Sequence, residues 1–558
     1  MITELFTGLY RYHISKIIKL TKEEPSPALF TRDSTGLVRQ GRWIDAFIFN
    51  SSASWMFGVL IFALSSFVFF GGANLISAEG IALVFAIAIA AMYAILTSLM
   101  PRSGGDYIFN SRIVHPVFGF SFNFSLTIWQ LFAAAFTLYF ISNVALGPGL
   151  QVLGYYANSS ALIQSGTWLA VPLNSLIFAS VVNLLFTVLV LSGIRKTFSA
   201  LNIMWVITIL GTVVMIGALL TTTHSGFESA FNGFMMKSNG TSTLANSFAF
   251  VQNSITPPPN KLAIPEIAIV VDAVIWVFWS AYVAGEIRRA NETRRNVTSM
   301  IGAAILNAFF FVVLIALLYS RVGIPFLSGI SQAGYTYALP FSSPLQALSA
   351  VLVLSTGSFA AGVIVLAAIT LGYSVLLLPA LYLQPIRSIF AWSFDRVVPL
   401  KWSSVSSKFH TPLISTLIVF AIIEAALILI EVESNLLLGI FSASVIAPAF
   451  SSIFATSVAA IVLGLRRKRN ITAKFSKSLI TILGFVSLAF ILFMTFEYMS
   501  NESYFFDIPS SGLSATALII VNFIFIPIGA LIYFVSYSLR KKNNRINLNA
   551  IASEIPPE

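Results

Sequence analysis

Apolar residues run through this chain in long unbroken stretches, not in the alternation of a half-buried strand or the one-sided stripe of a surface helix. Runs of about 18 residues or more recur from end to end, long enough for a helix to cross the hydrocarbon core of a bilayer. Twelve spans are predicted: 46–72, 77–100, 116–147, 169–193, 197–221, 264–287, 299–320, 345–385, 411–431, 435–465, 475–497 and 512–538. The eighth and tenth are longer than a perpendicular helix needs, which tilt or an overhanging end accounts for. Two connections, 148–168 and 222–263, are long and rich in Ser, Asn, Gly and Thr. They hold the triplets Asn158-Ser-Ser160 and Asn239-Gly-Thr241, which are either glycosylation acceptors or chance matches in polar loops.

Composition agrees with the pattern. The chain is 57% hydrophobic and 9% charged, whereas soluble domains are about a quarter charged. This is an all-α polytopic membrane protein whose first partner is the lipid bilayer. Residues 1–44 carry charges throughout and lack the apolar core of a secretory signal. They read as a cytoplasmic tail, with an amphipathic surface helix around Phe6 to Leu20 as the alternative. Cysteine is absent, which excludes disulfides, thiol catalysis and cysteine-ligated metals.

Charge sets orientation. With a cytoplasmic N-terminus, 29 of the 32 Lys and Arg residues fall on the inner side, and only Lys237, Lys261 and Arg321 fall outside. That is the positive-inside bias, and it places both termini in the cytoplasm of a cell whose cytoplasmic (plasma) membrane holds the protein. The net charge of +11 therefore expresses topology. No groove-sized basic patch with stacking aromatics is present to suggest nucleic acid.

Two spans are interrupted by small and polar residues: the first by FNSSASWMFG, the sixth by VDAVIWVFWSAYVAGE. They open alike, Asp45-Ala46-Phe47-Ile48 and Asp272-Ala273-Val274-Ile275, and lie five spans apart. Interrupted helices at matching places in two halves point to a transporter built of inverted repeats. An unwound stretch frees N–H and C=O groups at mid-membrane, where they survive only beside a cavity. Freed N–H groups suit a carboxylate, and freed carbonyls suit an ammonium or a cation. Small residues at Ser52, Ala53, Ser54 and Gly58 admit a ligand to the backbone, although such residues also serve close helix packing.

Three stretches resemble a known family. MPRSGGDYIFNSRIVHPVFGF (100–120) resembles the P-x-S-G-G-x-Y loop of amino acid–polyamine–organocation transporters. WVFWSAYVAGEIRRANETRRNV (276–297) is similar to that family's sixth helix and following loop, and PIRSIFAWSFDRVVPLKWSSVSSKFHTP to the loop after its eighth helix. The resemblance implies an amino acid permease of the leucine-transporter type, with about twelve transmembrane helices in a 5+5 inverted repeat and discontinuous helices 1 and 6. It divides the chain into a tail (1–44), a first repeat (45–223), an outer loop (224–263), a second repeat (264–466), two peripheral helices (467–539) and a second cytoplasmic tail (540–558). It implies substrate binding by Ala53, Ser54 and Trp55, and by Trp276, Trp279 and Ser280 on the sixth helix. The family's G-S-G-I-F motif is absent here, with Trp55 where a glycine is common; Ser280 likewise replaces a glycine, and Thr293 the usual proline.

Ionisable groups within spans are functional candidates by default. Asp272 lies near the outer end of span six. Glu286 is expected at an inner gate, paired with loop arginines such as Arg288, Arg289 or Arg295. Glu424, mid-span nine, either faces a partner helix as a neutral acid or relays protons. No lysine lies in span five, where some relatives carry one in place of a cation. Thr370 and Ser374 on span eight offer hydroxyls to sodium or bond their own helix, so the coupling ion is H+ or Na+, and exchange also stays open. No cofactor or metal is called for, and the four histidines are scattered over tail and loops, so an enzyme is not indicated. Neither a repeated filter loop nor an ATP-binding motif is present. A transporter-like nutrient sensor remains a remote alternative. The cluster Trp55, Phe57, Trp276, Phe278 and Trp279 suits a neutral or hydrophobic amino acid carried by a symporter, because a polyamine would need buried acidic partners.

Overall fold

A computed structural model of the chain describes residues 36–54, 74–239, 247–253, 267, 270–336, 356–432, 446–466, 476–500, 515–544 and 548–551. All belong to one unit, Gly36–Ile555. The helices run α1 (Trp43–Ala53), α2 (Leu75–Leu99), α3 (Asp106–Ile113), α4 (Pro116–Phe140), α5 (Gly147–Ala157), α6 (Ser160–Leu169), α7 (Pro172–Leu191), α8 (Ile194–Thr221), α9 (His224–Asn239), α10 (Ser247–Asn253) and α11 (Asp272–Ile275). There follow α12 (Thr293–Arg321), α13 (Ile324–Thr336), α14 (Phe359–Thr370), α15 (Leu378–Phe394), α16 (Leu413–Val432), α17 (Ile446–Ala449), α18 (Ala455–Leu465), α19 (Lys477–Ser500), α20 (Ala515–Asn544) and α21 (Leu548–Ile551). The described residues form no strand, only isolated bridges.

Nine helical segments among the described residues are long and apolar enough to cross a membrane. They fall on predicted spans two to five, seven and nine to twelve. Each remaining span has a particular reason for its absence. Span one is described only to Ser54. Span six is broken after Ile275. Span eight is described from residue 356, and its helix is interrupted by a turn at Leu376 and Leu377, between the π turn Leu371–Val375 and α15.

The third span runs further than its sequence suggests. Gly147-Pro148-Gly149 reads as a breaker, yet the helix passes through a π turn, Ile141–Leu146, straight into α5. Pro148 sits in the first turn of α5, where its missing N–H costs nothing. The helix stops at Asn158, which is left-handed (φ 51), and Ser159 caps α6 by accepting from the Leu162 N–H. The polar stretch after span five likewise carries α9 and α10.

Outward faces are apolar. Exposed large apolar residues include Leu173, Ile177, Val181, Leu184, Leu185 and Val188 on α7, and Ile203, Val206, Ile207, Leu210 and Val213 on α8. At helical spacing these make stripes that water would not tolerate and lipid favours. Inside, helices approach closely where glycine permits it. A Cβ on Gly211 of α8 would meet the Ala368 Cβ of α14 at 2.2 Å. The segment that positions the site, α1, packs against α12, α8, α15 and the unwound part of span six.

Candidate functional site

The start of α1 is fixed by charge and hydrogen bonding. Asp45, buried in the first turn, accepts from the Arg42 N–H at 2.8 Å and from Asn202 Nδ2 of α8 at 2.8 Å. Its far end is the point of interest. The last carbonyls of a helix have no donor of their own, and here a side chain supplies one. Asn307, in the middle of α12, donates through Nδ2 to Ser51 O (3.1 Å) and Ser54 O (2.8 Å), while its Oδ1 accepts from Ser51 Oγ (2.9 Å). Trp205 of α8 donates to the same Ser51 hydroxyl at 3.2 Å.

Span six abandons the α-helix at the same level. After α11 the chain turns at Trp276–Phe278, makes a 3₁₀ turn at Trp279–Tyr282 and a second at Ala284–Glu286. Asn50 of α1 bridges the two interruptions, its Oδ1 accepting from the Ser280 N–H at 2.8 Å. Four buried polar atoms around this junction have no partner: Asn50 Nδ2, Ser52 Oγ, Ser54 Oγ and Trp279 Nε1. Each such atom costs about 1–3 kcal/mol, a cost that a polar ligand would remove. Over the junction stand stacked rings. Tyr93 of α2 lies on Phe278 (centroids 3.9 Å apart), Trp276 on Trp279 (5.6 Å), and Trp279 meets Tyr282 (5.2 Å).

Below the junction the described structure is sealed at the end that carries the basic loops. Gly41 donates its N–H to Glu286 O (2.9 Å) and accepts from the Arg288 N–H (2.8 Å). On the other flank, Gly104 donates to Tyr282 O (2.9 Å) and Ser103 bridges to Val283. Two buried ion pairs lock this layer. Arg387 of α15 forks onto Glu286 (Nε–Oε1 2.6 Å, Nη2–Oε2 2.8 Å). Arg112 of α3 forks onto Asp395 (Nη1–Oδ2 2.6 Å, Nη2–Oδ1 2.8 Å), which also accepts from the Tyr107 hydroxyl at 2.8 Å. Gly105 lets the loop reach span six. Its φ is +52, and a Cβ there would lie 2.7 Å from the Tyr282 ring. Gly105→Ala is therefore expected to destabilise by about 1–3 kcal/mol from backbone strain alone, visible as a lower melting temperature of the purified protein. An unchanged melting temperature would show that the loop accommodates a side chain.

The structure gathers part of the predicted set. Ser52, Ala53, Ser54, Trp276, Trp279 and Ser280 meet at the junction, whereas Trp55, Phe57 and Gly58 lie outside the described residues. Asp272 opens α11, and nothing is described of its side chain or of Ser374's. Glu286 does stand at the sealed layer, but its partner is Arg387, not the loop arginines. Arg288 turns its Nε to Arg39 O (3.1 Å), and Arg289 and Arg295 both go to Glu292, holding that carboxylate below its usual range. Glu424 faces α7, accepting from Ser180 and from Asn183 Nδ2 (2.7 Å), and Asn183 accepts in turn from Tyr382 of α15. Thr370 Oγ1 is buried without a partner, so it does not bond its own helix. Among the described residues no cluster of His, Asp and Glu could hold a metal. Sequence reasoning missed Asn50, Ser51, Trp205 and Asn307. Asn50 and Ser51 lie within the break FNSSASWMFG without being singled out there, and the signal for Asn307 was an asparagine inside the apolar run IGAAILNAFFF.

Compared with known protein families, residues 42–536 match the family model described as amino acid permease. The match begins at the residue before α1 and ends within α20. A search of curated proteins returns no match.

Proposed function

The chain belongs to the amino acid permease family, and on that premise we propose that it is a secondary transporter of neutral, chiefly apolar, amino acids. As a member of that family it is an integral membrane transporter and not an enzyme. The finer reading is our own. It takes the fold as twelve spans in a 5+5 inverted repeat, seated in the plasma membrane with both termini cytoplasmic, and it takes transport as cation-coupled symport by alternating access.

The observation that carries it is the junction of α1 with the broken span six. There four buried polar atoms without partners, the Ser52 and Ser54 hydroxyls, the Asn50 amide nitrogen and the Trp279 indole nitrogen, lie beside a run of aromatic rings. Such a place suits a zwitterion. Its ammonium would meet the carbonyls at the end of α1, its carboxylate would take the free donors, and its side chain would lie on Trp276, Phe278 and Trp279. No acidic side chain at the described junction would offset a second positive charge, which argues against a polyamine. Thr370 and Ser374 are the hydroxyls proposed for a coupling cation, although α14 packs on α8 and it is α15 that reaches α1.

Uptake into proteoliposomes tests the reading. Labelled leucine or phenylalanine should accumulate saturably, unlabelled neutral amino acids should compete, and arginine or putrescine should not. An imposed proton or sodium gradient should raise the uptake. Competition by putrescine alone would replace this substrate class by polyamines. Uptake that requires an internal amino acid would make the protein an exchanger, and binding without uptake a sensor.

A further inference from the structure

The mechanism above leaves one buried carboxyl unused. Asp106 opens α3, just beyond the Gly104-Gly105 turn, and is wholly buried. Its Oδ1 accepts from Asn123 Nδ2 of α4 at 2.8 Å, and Asn123 is itself held by Trp392 Nε1 of α15 at 2.9 Å. Its Oδ2 has no hydrogen-bond partner. The Tyr282 hydroxyl of the unwound span six faces the same carboxyl and is also without a properly formed bond. One turn along α3, both polar side-chain atoms of Asn110 are buried and unpartnered too. A carboxyl thus sits at the contact between the first inner loop and span six, the contact that must part if the sealed end is to open.

We propose that Asp106 is a proton-binding site of this seal, and that its protonation holds the seal closed. The proposal rests on the alternating-access reading, in which the sealed layer is an inner gate. The step is a single protonation of a carboxylate, with no bond to any other group made or broken covalently.

Burial pushes the Asp106 carboxyl up to about 7, against the opposing influence of the nearby Tyr282 hydroxyl, the Asn123 amide and the Tyr107 N–H. An open gate would wet it and return it toward about 4, the ordinary value for Asp. The closed gate therefore binds one proton more than the open gate between those two values. Raising pH through that window favours opening, and acid favours closure. Other groups do not set this titration. From α2 and span six the facing titratable groups are the hydroxyls of Tyr93 and Tyr282. The charged groups of α3 and α15 are engaged elsewhere, Arg112 with Asp395 and Arg387 with Glu286. α18, also packed on α3, carries no titratable residue, and α4 has only Tyr139, near its far end.

The native chain has no cysteine, so single thiols can report the gate directly. Ala284→Cys places one under the seal, at a fully buried position, and Ser404→Cys places an exposed control in an inner loop. The probe is a membrane-impermeant maleimide, applied to vesicles of whichever orientation labels the control. Labelling of Ala284→Cys relative to Ser404→Cys should rise with pH by at most about tenfold per unit across the acid side of neutrality, then level off. Added Asp106→Asn should make labelling slow and flat, and Asp106→Glu should keep the slope. Tyr282→Phe removes a hydroxyl that favours the charged form and should move the midpoint to higher pH. A flat profile with Asp106 intact, which needs no further variant to observe, would overturn the proposal, as would a slope that survives Asp106→Asn. The readout involves no solute, so its failure is distinct from a failure of amino acid uptake.

Discussion

Arg387→Met should lower the stability of the protein by about 3–5 kcal/mol, because it strands the Glu286 carboxylate in a layer where water does not reach. Both partners are almost completely buried, and the pair is joined by two parallel bonds, at 2.6 and 2.8 Å. Arg387→Lys should fail nearly as badly, since an ammonium cannot reproduce the fork. The informative variant is the double change, Glu286→Gln with Arg387→Met. It removes both charges and should recover most of the lost stability, while leaving span six without its lock to α15. Thermal unfolding of the purified variants measures the stability. Leak of labelled amino acid from loaded proteoliposomes measures the lock. If the single Arg387→Met protein unfolds at the same temperature as the parent, the pair is not closed in solution and the sealed layer is not a gate.

The second large effect is expected at Asn307. Asn307→Ala leaves two carbonyls of α1, Ser51 O and Ser54 O, without their side-chain donor. At about 1–3 kcal/mol for each group left bare in a dry site, Asn307→Ala should unfold at a lower temperature, and the end of α1, no longer held in place, should bind substrate less well. Asn307→Asp should be worse than alanine, because it sets an acceptor against two acceptors. Binding measured by thermal shift, alongside uptake, separates lost affinity from lost folding. A parent-like affinity in Asn307→Ala would show that the end of α1 needs no outside donor.

What could be read from residues alone follows from which forces act locally. Spans such as Leu75–Leu99 and Lys477–Ser500 were legible to within a few residues, because lipid demands an apolar surface whatever the helix touches. The break in span six was legible too, since Ser280 and Gly285 interrupt an aromatic run. The helix through Gly147-Pro148 was not. Glycine and proline mark helix ends only on average, and here the π turn just before them re-registers the backbone so that the proline needs no acceptor. The partner of Glu286 was also hidden. Arg387 lies 101 residues away, and arginines two and three residues along the chain were the nearer candidates. Asn307 was hidden for a related reason, since one amide in an apolar run does not announce which distant helix end it serves.

The seam around residues 283–288 has a mechanical corollary. The extended lead at Gly41 holds one end of this short segment, at Glu286–Arg288, and the loop at Ser103–Gly104 holds the other, at Tyr282–Val283, and both do so through peptide groups. Ordinary substitutions cannot delete peptide groups, so this coupling should tolerate drift in side chains except at Gly41, Gly104 and Gly285, where an added Cβ would lie within 2.9 Å of a neighbour. It would give way to an inserted residue or to a proline at Gly41 or Gly104, each of which removes or shifts a donor. A tug on the chain just ahead of the first span would thus be felt by the sixth, with no side chain acting as the lever.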